Sequence, residues 1–201
     1  MAQQETAGRR EQILEAALRV IGRAGRPAVT HRAVAEEAGV PLGSTTYYFD
    51  SRDDLLRQAL EHVAASEVKR YEWLGEELRS VKSPRELADR LIAELVANAE
   101  DRIAYIAEYE LWLEAGRRPE LRTAAQSWCD AEQRAVAGAM ETLGSGDPAT
   151  DASLVVAALD GLGERILARE DEPDEAAAEL RPELRRLIER LVAPDRDRSG
   201  R

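Results

Sequence analysis

The chain holds two histidines, His31 and His62, and one cysteine, Cys129. Histidine-based metal ligation and thiol nucleophilic chemistry have to start from these three. A helical di-iron centre needs Glu-x-x-His pairs, but the residues three before the histidines are Ala28 and Ala59. The sequence has no H-E-x-x-H, no Cys/His cluster, no phosphate-binding glycine loop and no G-x-S-x-G. Cys129 falls within a helical stretch and has no histidine near it in sequence. No catalytic residue, metal ligand or cofactor is therefore expected, and the chain does not read as an enzyme. A different chemistry is concentrated at residues 38–55, AGVPLGSTTYYFDSRDDL, where small, hydroxyl and aromatic residues crowd between two helical stretches. Such a segment is a linker, a cap on the core, or a surface built to touch something.

Composition narrows the choice. Of 201 residues, 44% are apolar, enough for a sizeable core, and only 4% are aromatic. Dominance of alanine, leucine, arginine and glutamate favours an all-α protein. A single cysteine excludes a disulfide framework and suits a reducing compartment. MAQQETAGRR contains no apolar run of the signal-peptide kind. The longest apolar run, LVVAAL at 154–159, is far too short to span a bilayer. A soluble, cytoplasmic protein with no membrane partner is expected. The net charge of −11 is unevenly spread. Residues 1–60 carry eight basic and eight acidic groups, and residues 61–201 carry twenty and thirty-one. A neutral head on an acidic body is compatible with nucleic-acid binding by the head, because fields are screened within about 10 Å in salt.

Nine helices and no strand are expected. The first runs from about Arg9 to Arg23, with Ile13, Leu14, Ala17, Leu18 and Ile21 as its apolar stripe. Thr30 caps a short helix that Gly39 ends in a left-handed conformation. A third short helix covers about Pro41 to Tyr48. Ser51 caps a long fourth one, with Asp53 and Asp54 in its first turn, reaching to near Leu78. SPRE at 83–86 is a capping box that opens the fifth. Further helices are expected at about 101–115, 119–143 and 151–169, with GSGDPATD at 144–151 as the clearest loop. EDEPDE at 170–175 breaks the pattern, and a last helical region runs to Val192, kinked or restarted at Pro182. Residues 194–201 read as a disordered tail.

The second and third helices meet the demands of a helix-turn-helix. The crossing needs a small residue, supplied by Ala35, and a glycine in the tight turn, supplied by Gly39. Val34, Ala38 and Val40 are the apolar residues that lock the angle. The segments ILEAALRVIGRAG, VTHRAVAEEAGVPLGSTTYYF and DSRDDLL, in that order, closely resemble the DNA-binding domain of the tetracycline-repressor (TetR) family of transcriptional regulators. The resemblance covers about the first 60 residues, and the remainder matches in layout.

That resemblance implies an N-terminal helix-turn-helix domain over 1–60 and a helical-bundle ligand-binding and dimerisation domain over 61–193. It implies a homodimer that reads a palindromic operator in double-stranded DNA with its third helix. Carried over by position, Thr30, His31 and Arg52 would lie at phosphates and Arg32 at a base edge. Leu42, Gly43, Ser44, Thr46, Tyr47 and Tyr48 would face the groove. Arginine can bind guanine bidentately and leucine can touch a thymine methyl. Leu42, Thr45 and Thr46 depart from the usual pattern, Thr45 standing where a leucine commonly packs inward. Phe49 is expected in the core.

The resemblance also implies a ligand cavity among the middle helices. Tyr105, Tyr109 and Trp112 share one face of the sixth helix, Trp128 lies on the seventh and Tyr71 on the fourth. Each also suits plain core filling. Glu108 and Glu110 could meet a cationic ligand. The dimer interface is expected on the last two helices, from Leu154, Ala157, Ala158, Gly161, Leu184, Leu187 and Leu191, with packing inside one chain as the alternative. The expected function is a dimeric repressor released by an unknown small-molecule effector. The alternatives are a ligand-independent regulator, an activator, or a helical ligand carrier without DNA binding.

Overall fold

The computed structural model describes residues 2–169 and 172–193. The expected tail at 194–201 lies outside them. The described residues form nine α-helices and no strand: α1 Ala2–Ala24, α2 His31–Ala38, α3 Leu42–Tyr48, α4 Arg52–Leu78, α5 Pro84–Glu100, α6 Arg102–Arg117, α7 Arg122–Thr142, α8 Pro148–Leu167 and α9 Pro173–Leu191. Short 3-10 turns precede α2 and α7, at Arg26–Ala28 and Pro119–Leu121. None of the helices is long and apolar enough to cross a membrane. The chain packs as two compact units, Met1–Glu67 with Asp101–Trp128, and Val68–Glu100 with Cys129–Arg201.

In the first unit, α1 lies against both α2 and α6. Its stripe buries Ile13, Leu14, Ala17 and Ile21 beside Val34, Phe49, Leu55 and Leu56, all essentially inaccessible. In the second unit, α9 packs against α5 and α8, burying Leu87, Ile92, Val155, Leu180 and Ile188. Each fully buried aliphatic side chain contributes on the order of 1.5–3 kcal/mol.

Local chemistry explains the helix ends. The Thr30 hydroxyl accepts from the Ala33 amide at 3.0 Å, starting α2. Gly39 ends it at φ 65°, ψ 34°, where the Val40 amide reaches back to the Ala35 carbonyl at 3.0 Å. A side chain there would be strained, which is why glycine holds the turn. Ser51 and Ser83 cap α4 and α5 by accepting from Asp54 and Glu86 amides. In return, the Asp54 and Glu86 carboxylates accept from the amides of Asp50 and Lys82, one residue before each cap. Gln58 and Arg57, hydrogen-bonded to Asp54, hold its carboxyl below the usual range.

Bounds differ from expectation at α1, which begins at Ala2 rather than about Arg9, and at α8, while at Pro182 one of the two expected outcomes is excluded. α8 begins at Pro148, inside the expected loop, because Asp147 caps it through the Thr150 amide and Pro148 fits the first turn. α9 runs through Pro182 without restarting. The carbonyl that this proline leaves without its helical partner belongs to Ala178, which like Pro182 is exposed, so water can satisfy it.

Candidate nucleic-acid interface

The helix-turn-helix is held from behind by polar contacts to α1 and from within by one buried hydroxyl. The Gln12 side-chain amide donates to the Ala38 carbonyl at 2.8 Å, fixing the end of α2 on α1. Arg19 and Arg23 of α1 both bind the Glu37 carboxylate, at 2.7 and 2.5 Å, and the Arg19 hydrogen bond chiefly lowers its pKa. Thr45, fully buried, donates its hydroxyl to the Leu42 carbonyl at 2.8 Å and lies 3.3 Å from the His31 carbonyl. It therefore fills the inward position of α3 and spends its hydroxyl on backbone. Phe49 is buried at the end of α3, with the Arg10 guanidinium 5.8 Å above its ring.

With Thr45 and Phe49 turned in, the opposite face of α3 is open. Leu42, Gly43, Thr46 and Tyr47 are exposed, Tyr47 at 79%, while Ser44 and Tyr48 are half-buried. The Tyr47 and Tyr48 rings meet edge to face at 5.0 Å. Arg32 projects from α2 with its side chain 83% exposed, held only by an i,i+4 pair with Glu36 at 3.0 Å. The exposed and half-buried residues of α3 offer two phenols, hydroxyls and a leucine, and α2 offers a guanidinium, the functional groups that read base edges and phosphates.

Two of the expected contact residues, Thr30 and Arg52, have structural work as well, and a third, His31, is half-buried. Thr30 uses its hydroxyl as the α2 cap. His31 is half-buried, and its Nδ1 is buried without a hydrogen-bond partner among the described residues. Arg52 donates through Nε to the Val29 carbonyl at 2.6 Å and through Nη2 to the Arg26 carbonyl at 2.9 Å. Its guanidinium thus clamps the turn ahead of α2.

The expected ligand-lining aromatics separate by unit. In the first, Tyr105 and Trp128 are buried, and the pairs Tyr105–Tyr109 and Trp112–Trp128 stand at 5.3 and 5.2 Å between ring centroids. Trp128 Nε1 is buried with no hydrogen-bond partner among the described residues. Tyr71 belongs to the second unit, where its hydroxyl donates to Glu132 at 2.9 Å and Arg70 sits 4.4 Å over its ring. On α8, Leu154, Ala157 and Gly161 are exposed and Ala158 is half-buried. On α9, Leu187 and Leu191 are half-buried and Leu184 is buried within the chain.

Cys129 offers no activated nucleophile: burial, then the nearby Glu132, Asp130 and Asp160 carboxylates, push its thiol pKa up and keep it protonated. Glu11 and Glu15 of α1 and His62 of α4 bring one ligating atom each within 4.8 Å of one another. Exposed carboxylates commonly lie so without an ion, and no metal is assigned to them.

A compact helix-turn-helix with an open polar reading face, carried by an otherwise all-α chain, defines the helical bacterial regulators as a class. The family model described as bacterial regulatory proteins, tetR family, matches residues 13–59. The one described as tetracyclin repressor-like, C-terminal domain, matches residues 82–194, more than half of the chain. The chain belongs to the TetR family. Among curated relatives, the HTH-type transcriptional regulator BetI of Burkholderia cenocepacia is 32% identical over 105 residues, 52% of each chain. PksA of Bacillus subtilis is 34% identical over 104 residues, 52% of this chain and 48% of that one. The chain spans about half the length of these curated relatives. Among solved structures, the multidrug binding protein EbrR complexed with proflavin is 37% identical with a TM-score of 0.59, covering 89% of this chain and 99% of its own. A transcriptional regulator from Saccharomonospora viridis in complex with choline is 26% identical with a TM-score of 0.72, over 91% and 96%.

Proposed function

We propose that this protein is a dimeric transcriptional repressor that reads a palindromic operator with α3 and is released by a small cationic ligand. The observation that carries the reading is the division of α3. Thr45 and Phe49 are buried and lock the helix, leaving Leu42, Gly43, Thr46 and Tyr47 exposed, and Arg32 is exposed on α2. Tyr47 is 79% exposed on α3, and Arg32 on α2 has its side chain 83% exposed with an exposed i,i+4 carboxylate as partner. A groove reader needs both. Thr30 and His31 would lie along the backbone, and Ser44 and Tyr48 at the edges of the contact. Arg52 would hold the entry turn in register for them.

The ligand class is argued from the first unit and from relatives. EbrR is solved with proflavin, ethidium and malachite green, and the Saccharomonospora viridis protein with choline. Tyr105, Tyr109, Trp112 and Trp128 supply ring faces, which attract cations through their quadrupoles. The Glu108 and Glu110 carboxylates on the same helix favour positive charge.

Selection of bound duplexes from a random pool, followed by release with proflavin or choline, tests the whole reading. Enrichment of an inverted repeat with half-sites one helical turn apart is expected, about 34–36 Å centre to centre. Failure to enrich any palindrome would sink the repressor reading, and enrichment without release by either cation would leave a regulator of another ligand class.

The dimer is argued from α8. Leu154, Ala157 and Gly161 are exposed at i, i+3 and i+7, and a Cβ at Gly161 would meet nothing within 4 Å. Ala158 on α8 and Leu187 and Leu191 on α9 are half-buried and would complete the interface, whereas Leu184 is spent inside its own chain. An unfilled glycine in a helix costs about 1 kcal/mol relative to alanine, a cost that close approach of a second backbone would offset. Gly161→Arg is therefore expected to leave the helix content intact and turn the dimer into a monomer in sedimentation. A variant that still sediments as a dimer would place the interface elsewhere.

A further inference from the structure

We infer that Glu114, in α6 and far outside the helix-turn-helix segment, is the positioning residue that sets the reading geometry of that segment. The inference rests on the DNA-reading function proposed above.

The carboxylate is 1% exposed and its two oxygens receive three guanidiniums. Arg26 Nη1 and Arg118 Nε bind Oε2, at 3.1 and 3.0 Å, and Arg117 Nη1 binds Oε1 at 3.0 Å. Two of these partners lead directly to the reading element. Arg26 opens the 3-10 turn that delivers the chain to Thr30, and its carbonyl also accepts from Arg52. Arg118 continues through Nη2 to the Asp53 carboxylate, 3.2 Å away, in the first turn of α4. One buried carboxylate therefore ties down the chain just before α2 and just after α3. These are the two points through which the helix-turn-helix enters and leaves.

Physical chemistry separates positioning from bulk stability here. A buried carboxylate is costly to desolvate, and two charge-assisted hydrogen bonds, from Arg26 and Arg117, with the Arg118 ion pair do little more than offset that cost. Replacement of buried ionic groups by apolar ones of similar size is often neutral for stability. What such a cluster supplies is direction, because three guanidiniums from two separate stretches of chain converge on one carboxylate that has no room to shift. With the carboxylate gone, three positive groups crowd one site and the Arg26 turn loses its anchor. The α2 N-terminus and α3 then lose their fixed offset from the phosphates.

The test uses the full chain with Glu114→Gln, Glu114→Leu, and Arg26→Met combined with Glu114→Leu, read by fluorescence anisotropy on the operator selected by the wild type and on a random duplex. Both Glu114 variants are expected to bind the operator about tenfold more weakly, the scale of one misplaced base contact, with random-duplex affinity and dimerisation unchanged. The Arg26→Met, Glu114→Leu pair is expected to recover the wild-type Tm without recovering the operator-to-random ratio. An unchanged ratio in all three variants would overturn the inference, as would recovery of the ratio together with Tm, since that marks a purely structural role. If the wild type selects no operator, DNA reading itself fails, a result visible before any variant is made.

Discussion

Gly22→Ala is expected to destabilise the first unit severely, although alanine is ordinarily the better helix residue. In an open helix the exchange would stabilise by about 1 kcal/mol. At position 22 the added methyl would fall on the carbonyl oxygen and carbon of Ile103, at the start of α6. Neither atom can rotate away, because both are backbone, so α1 and α6 must separate. Those two helices share the broadest packing in this unit, and Ile13, Leu14, Ala17 and Ile21 of α1 are all buried. Overpacking against movable side chains already costs about 1–3 kcal/mol, and a backbone obstacle takes the upper end or beyond. A net loss on the order of 2–3 kcal/mol lowers Tm by about 5–10 °C in a chain of this size. Thermal and chemical denaturation measure it. Gly116→Ala is the control: it also lies in a helix, α6, but nothing stands within 4 Å of its missing Cβ, so its Tm should hold or rise. Equal behaviour of the two variants would refute the close approach of α1 and α6.

The largest functional effect is expected from Arg32→Ala combined with Tyr47→Ala. Both side chains project into solvent, the arginine 83% and the tyrosine 79% exposed. Among the described residues Arg32 has only the exposed Glu36 carboxylate as ion partner, and such an i,i+4 pair contributes about 0.3–0.5 kcal/mol. Tyr47 touches Tyr48 by its ring edge alone among ring contacts. Removing both should therefore leave Tm and dimerisation within experimental error. Each specific groove contact is worth about 1–3 kcal/mol of discrimination, so the pair should lower operator affinity by about a hundredfold or more. A double variant that binds the operator as tightly as the wild type would mean that another surface reads the DNA.

The two predictions differ in how far their grounds can be read from the chain alone. The reading helix is legible because its signals are local. A threonine cap, a glycine at the turn and a serine cap each act within four residues, and the structure shows the Thr30, Gly39 and Ser51 bonds that such spacing requires. The helical stripe of α1 is legible for the same reason, since its period is a property of the backbone. Gly22 carries no such sign. One glycine in the last turns of a helix looks like a tolerated weakness until α6, some eighty residues later, is laid across it. Arg52 resembles a phosphate ligand by position, and only the fold shows its guanidinium occupied by the carbonyls of Val29 and Arg26. Pro182 leaves two readings open in the sequence. The solvent exposure of Ala178 and Pro182 decides for an unbroken α9.

By itself, then, the amino-acid sequence determined the all-α class, nearly every helix boundary and the helix-turn-helix with its family. All of these follow from period, caps and turns, which are settled within one or two helical turns of chain. Tertiary structure alone decided which face of α3 is open, that Thr45 turns inward to bond backbone, and that the Tyr71 hydroxyl donates to Glu132. It also decided that Glu114 gathers Arg26 from 88 positions away. Those outcomes depend on which distant surfaces meet, and the burial of a charge or the overlap of a methyl exists only once they do.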